Sequence, residues 1–165
     1  MEGGPSPGDR QESSLSLGKR MEQDHGRLDD LWDQAKQSWP EDRERATRLF
    51  QAFRTGLLTH IQAEEELMFP FFDRRNESSA KYMTDLLREE HDQIRAELEA
   101  LLRKVEAGGP DLEPEDTRLR NVLWIHNTRE EGLLYPWFNE SVTQGEGLDV
   151  SKKIRDMISP DERPS

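Results

Sequence analysis

Residues 60–72, HIQAEEELMFPFF, decide the fold, because residues 126–138, HNTREEGLLYPWF, repeat their pattern. Each stretch has a His, two Glu four and five positions later, two apolar residues, an aromatic residue, Pro and two further aromatic residues. The same shift of 66 residues places His25 on His91, so every histidine of the chain belongs to the repeat. The sequence therefore predicts two copies of one structural unit.

Apolar residues recur at spacings of three and four in four long segments, which predicts helices over about residues 18–37, 40–74, 79–107 and 114–139. Turn-forming residues separate these segments, and none of them alternates with the period of a strand. We predict an all-α protein, an antiparallel up-down-up-down four-helix bundle built from two repeated helical hairpins. Helical spacing also predicts a short fifth helix near the C-terminus, with Val150, Ile154, Met157 and Ile158 on one face.

The chain has 165 residues, which is enough for one domain with tails. Residues 1–18 are rich in Gly, Pro and Ser and predict a flexible N-terminal tail. We expect the bundle over residues 19–142. Residues 143–165 then form a C-terminal segment that includes the short fifth helix.

The composition excludes several classes of function. The net charge is -12, from 35 acidic and 23 basic residues, and no basic cluster is interleaved with aromatic residues, so we expect no nucleic-acid partner. The absence of Cys excludes disulfides, thiolate catalysis and Cys-ligated metal sites. No apolar run approaches the roughly 18 residues of a membrane span, and the N-terminus does not resemble a signal peptide. We therefore expect a cytoplasmic protein without a membrane partner.

Six side chains are predicted to point into the bundle core. In a helix, His and Glu four residues apart lie about 6 Å apart along the axis and about 40° apart around it, so both reach one point. A single His on an apolar face is more often a core histidine, but six polar groups left without partners would each cost about 1 to 3 kcal/mol. A metal satisfies all six. The candidate ligands are His25, His60, Glu64, His91, His126 and Glu130.

The ligand types narrow the choice of metal. Four imidazoles and two carboxylates without sulfur suit iron, manganese or zinc. Six ligands are too many for one tetrahedral zinc. They serve two ions if Glu64 and Glu130 bridge the ions and each ion takes two histidines.

Three further residues are candidates for a role around the ligands. Glu65 and Glu131 either orient ligand histidines or are solvated on a helix flank. Tyr135 aligns with Phe69 in the repeat, so its hydroxyl either approaches the metals or belongs to a side chain that fills the core.

The tryptophans stand at helical positions and are expected in the core: Trp32, Trp39, Trp124 and Trp137.

With these motifs the chain resembles the hemerythrin-like, or HHE cation-binding, domains over about residues 20–140. The resemblance rests on His25, HIQAEEELMFP, EEHDQI and HNTREEGLLYP. It implies a non-haem site of two iron ions in a four-helix bundle, bridged by carboxylates and an oxo or hydroxo group, with the six candidate residues as ligands. The chain departs from the oxygen-carrying members at Arg95, where they have a fifth ligand His, and at Glu131, where they have a bridging Asp. We therefore expect a role other than simple reversible oxygen storage.

Three functions are compatible with such a centre. The first is binding or sensing of a small ligand, namely oxygen, nitric oxide or a related species, with the signal passed to a partner that the sequence does not identify. The second is enzymatic, either turnover of hydrogen peroxide or iron handling and repair. In the third, the metal only holds the helices together.

Overall fold

The computed structural model describes residues 15–75, 77–142 and 145–158, and these residues form helices and turns with no strand among them. The all-α prediction is confirmed, and the predicted fifth helix is present as the last of the series. The up-down-up-down order of the helices stays a prediction. In chain order the helices are α1 (Leu17–Ser38), α2 (Arg43–Ala63), α3 (Phe69–Asp73), α4 (Ser78–Ala107), α5 (Glu115–Arg129), α6 (Tyr135–Ser141) and α7 (Glu146–Ile158).

Two π-helical turns occupy equivalent positions in the two repeats. Glu64–Met68 joins α2 to α3, and Glu130–Leu134 joins α5 to α6, in each case without a break. The N–H of Phe69 and that of Tyr135 each donate to the carbonyl five residues earlier. Each turn begins at a Glu that the repeat predicts as a ligand, and π-helical turns are frequent at functional sites.

The π-helical turns move the buried face of each helix by one residue. Met68 and Leu134 are fully buried, whereas Leu67 is half-buried and Leu133 is 53% exposed. Unbroken α-helical periodicity places Leu67 and Leu133 on the buried stripe, and this prediction is wrong for Leu133. The cause is the extra residue in the turn, which shifts every later side chain around the axis.

The helices of each repeat pack along each other, α1 on α2 and α4 on α5, as the predicted hairpins require. Two hydrophobic clusters fill the interior. One of them includes Leu28, Trp32, Phe53 and Ile94, and the other includes Met21, Phe69, Leu87 and Phe138. Along α1, His25 lies between Met21 of one cluster and Leu28 of the other, so a polar layer separates two apolar ones.

The tryptophans do not all lie in the core. Trp32 and Trp39 are buried, as predicted, and Trp137 is half-buried. Trp124 is 70% exposed, so its prediction as a core residue is wrong. It directly follows the buried Leu123, and one step along a helix turns a side chain by about 100°.

The chain ends are described in part. The predicted N-terminal tail falls mostly on residues 1–14, which lie outside the described residues, and α1 begins at Leu17, one residue before the predicted start. None of the helices described here combines the length and the apolar character that crossing a bilayer requires.

Candidate metal centre

The four histidine rings meet in two pairs inside the bundle. Nε2 of His25 lies 3.1 Å from Nε2 of His60, and Nε2 of His91 lies 3.1 Å from Nε2 of His126. All four side chains are buried. Each pair joins the two long helices of one repeat, so the two repeats of the sequence form two equivalent histidine pairs in the structure.

Glu64 and Glu130 connect the two histidine pairs. Oε1 of Glu130 lies 3.3 Å from Nε2 of His25 and 3.1 Å from Nε2 of His126. Oε1 of Glu64 lies 3.6 and 3.3 Å from the Nε2 atoms of the other two histidines. Both carboxylates are 0% exposed, and each faces one histidine of each pair, which is the position of a bridging ligand.

All six predicted ligand residues therefore come together. Their metal-ligating atoms form two groups, each with atoms within 4.8 Å of one another. Glu130 belongs to both groups, whereas Glu64 belongs to one. The groups are Glu64, His91, His126 and Glu130, and His25, His60 and Glu130.

Each histidine presents its other ring nitrogen, Nδ1, to a carboxylate. A carboxylate at Nδ1 accepts the ring proton there and leaves the Nε2 lone pair free for a metal. The distances to Nδ1 are 2.8 Å from Asp24 to His60, 3.0 Å from Glu131 to His25, 3.1 Å from Glu90 to His126 and 3.7 Å from Glu65 to His91. The last of these is too long for a hydrogen bond.

Arginines hold three of these outer carboxylates in place. Nε of Arg27 donates to Asp24 over 2.9 Å, and Nε of Arg129 donates to Glu90 over 3.1 Å. Arg95 pairs with Glu65. Arg95 thus pairs with a carboxylate that lies beside His91.

Sequence reasoning missed Asp24 and Glu90. The two residues are equivalent under the 66-residue shift, and each directly precedes a candidate ligand histidine on its own helix. Each bonds the histidine of the neighbouring helix instead, and both are buried. The repeat that aligned the ligands also aligns this acidic pair and could have found it.

Tyr135 is the asymmetric element of the centre. Its hydroxyl lies 3.2 Å from Nε2 of His25 and 3.1 Å from Nε2 of His60. It also lies 2.9 Å from Oε2 of Glu64 and 3.0 Å from Oε1 of Glu130, and donates its proton to one of these carboxylates. The side chain fills the core, and its hydroxyl lies among the candidate ligand residues.

The second histidine pair has an apolar counterpart. The ring of Phe69 stacks on His91 with centroids 5.4 Å apart, as the ring of Tyr135 lies beside His25 at 5.7 Å. Gly18 lets α1 approach Tyr135, because a β-carbon there would lie 3.0 Å from Cβ of Tyr135. One histidine pair therefore has a hydroxyl beside it, and the other has a phenyl ring.

The electrostatics of the centre favour positive charge. Burial acts to lower the pKa of His25, but its bonds to Glu130 and Glu131 raise that pKa to about 10. Burial likewise opposes the charged form of His126, and the charge of Glu130 raises its pKa to about 10. Burial raises the pKa of Glu64, and the charge of Glu130 raises it further. Without a cation the centre therefore holds protons that a metal has to displace.

Two buried carboxylate oxygen atoms indicate whether the centre fits a metal ion. Oε1 of Glu64 and Oε2 of Glu130 are buried and have no hydrogen-bond partner among the described residues. A buried polar atom without a partner costs about 1 to 3 kcal/mol, and more if it is charged. A cation removes this cost, and the nitrogen and oxygen donors suit iron, manganese or zinc. The residues present fit a metal.

A small cavity lies beside three of the four histidines, His25, His60 and His126. Its volume is about 10 Å³, which is close to the space that one water molecule needs. The remaining wall is mostly apolar: Leu28, Asp29, Phe53, Leu57, Ile61, Ile94, Leu123 and Asn127. The structure thus leaves space for about one small molecule beside these three histidine side chains.

Comparison with known families agrees with this geometry. The family profile described as Hemerythrin HHE cation binding domain matches residues 17–138. A search of curated proteins and a search of solved structures each found no significant match.

Proposed function

The chain belongs to the hemerythrin HHE cation-binding domain family, and we propose that it is a non-haem di-iron protein that binds or senses a small ligand. The ligand is oxygen, nitric oxide or a related species. In this proposal the six clustered residues bind two iron ions, and the four long helices run up-down-up-down. Manganese or zinc is the alternative occupant.

One observation carries the proposal. Two histidine pairs share two buried carboxylates, and a cavity of about 10 Å³ adjoins three of the rings. A site that served only to hold helices together would need no such space. Structural metal sites are coordinatively closed, whereas reactive ones keep a position open.

The protein supplies the surroundings of the metal. Iron ions, when bound, supply redox chemistry and an open coordination position for the ligand. Asp24 and Glu90 hold the rings of His60 and His126 in orientation. The mostly apolar wall of the cavity disfavours species that have to lose their hydration on entry.

Turnover of hydrogen peroxide is the second candidate, and the position of Tyr135 favours it. Its hydroxyl lies within 3.2 Å of two histidine nitrogens and within 3.0 Å of both central carboxylates. A phenol so placed can donate a hydrogen bond or a proton to a ligand at the centre.

Stopped-flow spectroscopy of the reduced, iron-loaded chain separates these functions. We expect a stable adduct with oxygen or nitric oxide, and its absence would overturn the proposal. Repeated consumption of peroxide without a stable adduct would support the enzyme. No spectral change with any of the three would leave a structural metal. As a cytoplasmic protein, which the sequence predicts, a sensor would signal through a separate partner protein.

A further inference from the structure

We propose that the groove between α1 and α5 is the entrance to the metal centre and that its acidic walls favour neutral molecules over anions. This inference rests on the proposed function, because an entrance matters only if the centre binds a ligand. It assigns a role to the groove residues, which contribute no candidate ligand except His25 at its inner end.

The groove leads towards the cavity beside the histidines. It has a volume of about 630 Å³ and lies at the surface, with the exposed Trp124 on its wall. The groove and the small cavity share five wall residues: His25, Asp29, Phe53, Leu123 and Asn127. The inner end of the groove is therefore the outer wall of the cavity.

Helix packing explains why the groove lies here. Helices α1 and α2 pack closely along their length, and so do α4 and α5. The backbones of α1 and α5 stand further apart, whereas α1 packs on α6, the helix that follows α5 in the chain. The seam between the two repeats is thus left open on this side, and side chains rather than closely packed backbone separate the solvent from the histidines.

The charge of the groove gives it selectivity. Four carboxylates line it: Glu22, Asp29, Asp33 and Glu131. The one cation on the described wall, Arg120, is engaged by Asp33 at 2.6 Å and by Asp116 at 2.9 Å. With four carboxylates and one arginine, the wall carries a net negative charge, which lowers the local concentration of anions. Anions such as azide are therefore retarded, whereas oxygen, nitric oxide and hydrogen peroxide carry no charge.

Charge reversal at Asp29 tests the selectivity. The full chain is loaded with iron, and the association rates of azide with the oxidised protein and of nitric oxide with the reduced protein are measured at low ionic strength. The assay is run at pH 8, because desolvation raises the pKa of Asp29 and its carboxylate has to be ionised. Asp30→Lys is the matched control, since Asp30 is exposed on the same helix and lies off the groove.

We expect Asp29→Lys to speed azide association. A change of two unit charges at about 10 Å in water corresponds to roughly a fourfold change in rate. Asp30→Lys should change the azide rate less, and neither variant should change the nitric oxide rate. Equal azide rates in the two variants would overturn the selectivity.

A steric variant tests the path itself. Asn127 borders both the groove and the cavity, whereas Asn121 borders the groove alone. Asn127→Phe should slow azide and nitric oxide together, by several-fold, and Asn121→Phe should slow neither. If Asn127→Phe retains its iron and binds both ligands at the parent's rates, the groove is not the entrance. A parent chain that binds no azide and no nitric oxide would instead refute the proposed function.

Discussion

Replacement of Asp24 by Asn should weaken metal binding about tenfold, although Asp24 is not among the residues that face the centre. The Asp24 carboxylate is 2% exposed and lies 2.8 Å from Nδ1 of His60. Its charge makes the ring a better metal ligand, and losing such a partner typically costs 10- to 100-fold in affinity. Asn keeps an oxygen that accepts the Nδ1 proton and loses only the charge, so the effect should lie at the low end, near 1.4 kcal/mol.

Replacement by Ala should cost more. Asp24→Ala removes the acceptor as well, which leaves the buried Nδ1–H of His60 unpaired at a cost of about 1 to 3 kcal/mol. The affinity should then fall by roughly 100-fold. Arg27 is 36% exposed, so water can solvate it in both variants.

Competition between the chain and a metal-binding dye under anaerobic conditions measures the affinity for ferrous iron. Asp30→Asn is the matched control, because Asp30 is exposed on the same helix and lines none of the cavities described above. Glu90→Gln should act on His126 in the other repeat in the same way. If Asp24→Asn binds iron as tightly as Asp30→Asn, the outer carboxylates do not tune the centre.

Two further predictions concern the metal-free protein. Tyr135→Phe introduces the residue type found at the equivalent repeat position, Phe69. It removes a hydrogen bond to a buried carboxylate that is worth about 1.5 to 3 kcal/mol. The melting temperature should therefore fall by roughly 3 to 12 °C. Tyr82→Phe, at a side chain that is 72% exposed, should leave it unchanged, and equal melting temperatures for the two variants would contradict the assigned contact. The pKa of His25 is raised from 6.5 to about 10 in the folded chain, so its contribution to stability is complete below pH 6.5 and is lost as the pH rises to 10. Thermal unfolding with chelator should therefore show a melting temperature that falls across this range, and a rise would contradict the ion pairs at His25.

The repeat made the centre predictable. His and Glu four residues apart share a helix face, and the 66-residue shift gave each such pair a counterpart. The structure brings all six of these side chains together, at distances of 3.1 to 3.6 Å between neighbouring candidate ligand atoms. Local periodicity was sufficient here because these residues lie before the π-helical turns or, in the case of Glu64 and Glu130, at their first position.

The π-helical turns limited how much of the buried helix face could be predicted from the sequence. The periodicity of an α-helix was applied past Glu130, where the turn inserts a residue, and so Leu133 was placed inside although Leu134 is the buried one. Pro136 follows in the sequence and signals a disturbance of the helix, but not its type. The register of the buried face beyond Glu130 therefore could not be predicted from helical spacing.

The partners of the ligands depend on contacts between helices. Glu131 bonds His25 on another helix, over 106 positions in the sequence, and no local pattern encodes such a distance. The Tyr135 hydroxyl likewise lies beside Nε2 of His25, 110 positions away in the sequence. These features required the packed structure.

The metal content of four variants tests the central claim most directly. Glu64 and Glu130 face the histidine pairs, whereas Glu65 and Glu131 lie behind the rings, about 100° further around the helix. The parent chain, purified from iron-replete cells, should hold about two ions, as expected for a dinuclear site. Glu64→Ala and Glu130→Ala should each lower that number, because each removes a candidate ligand. Glu65→Ala and Glu131→Ala remove a neighbour of a ligand histidine, which weakens the affinity, but in iron-replete cells they should leave the number near the parent's. One ion or fewer in folded parent protein, or emptying of the site by the Glu65 and Glu131 variants alone, would contradict the account.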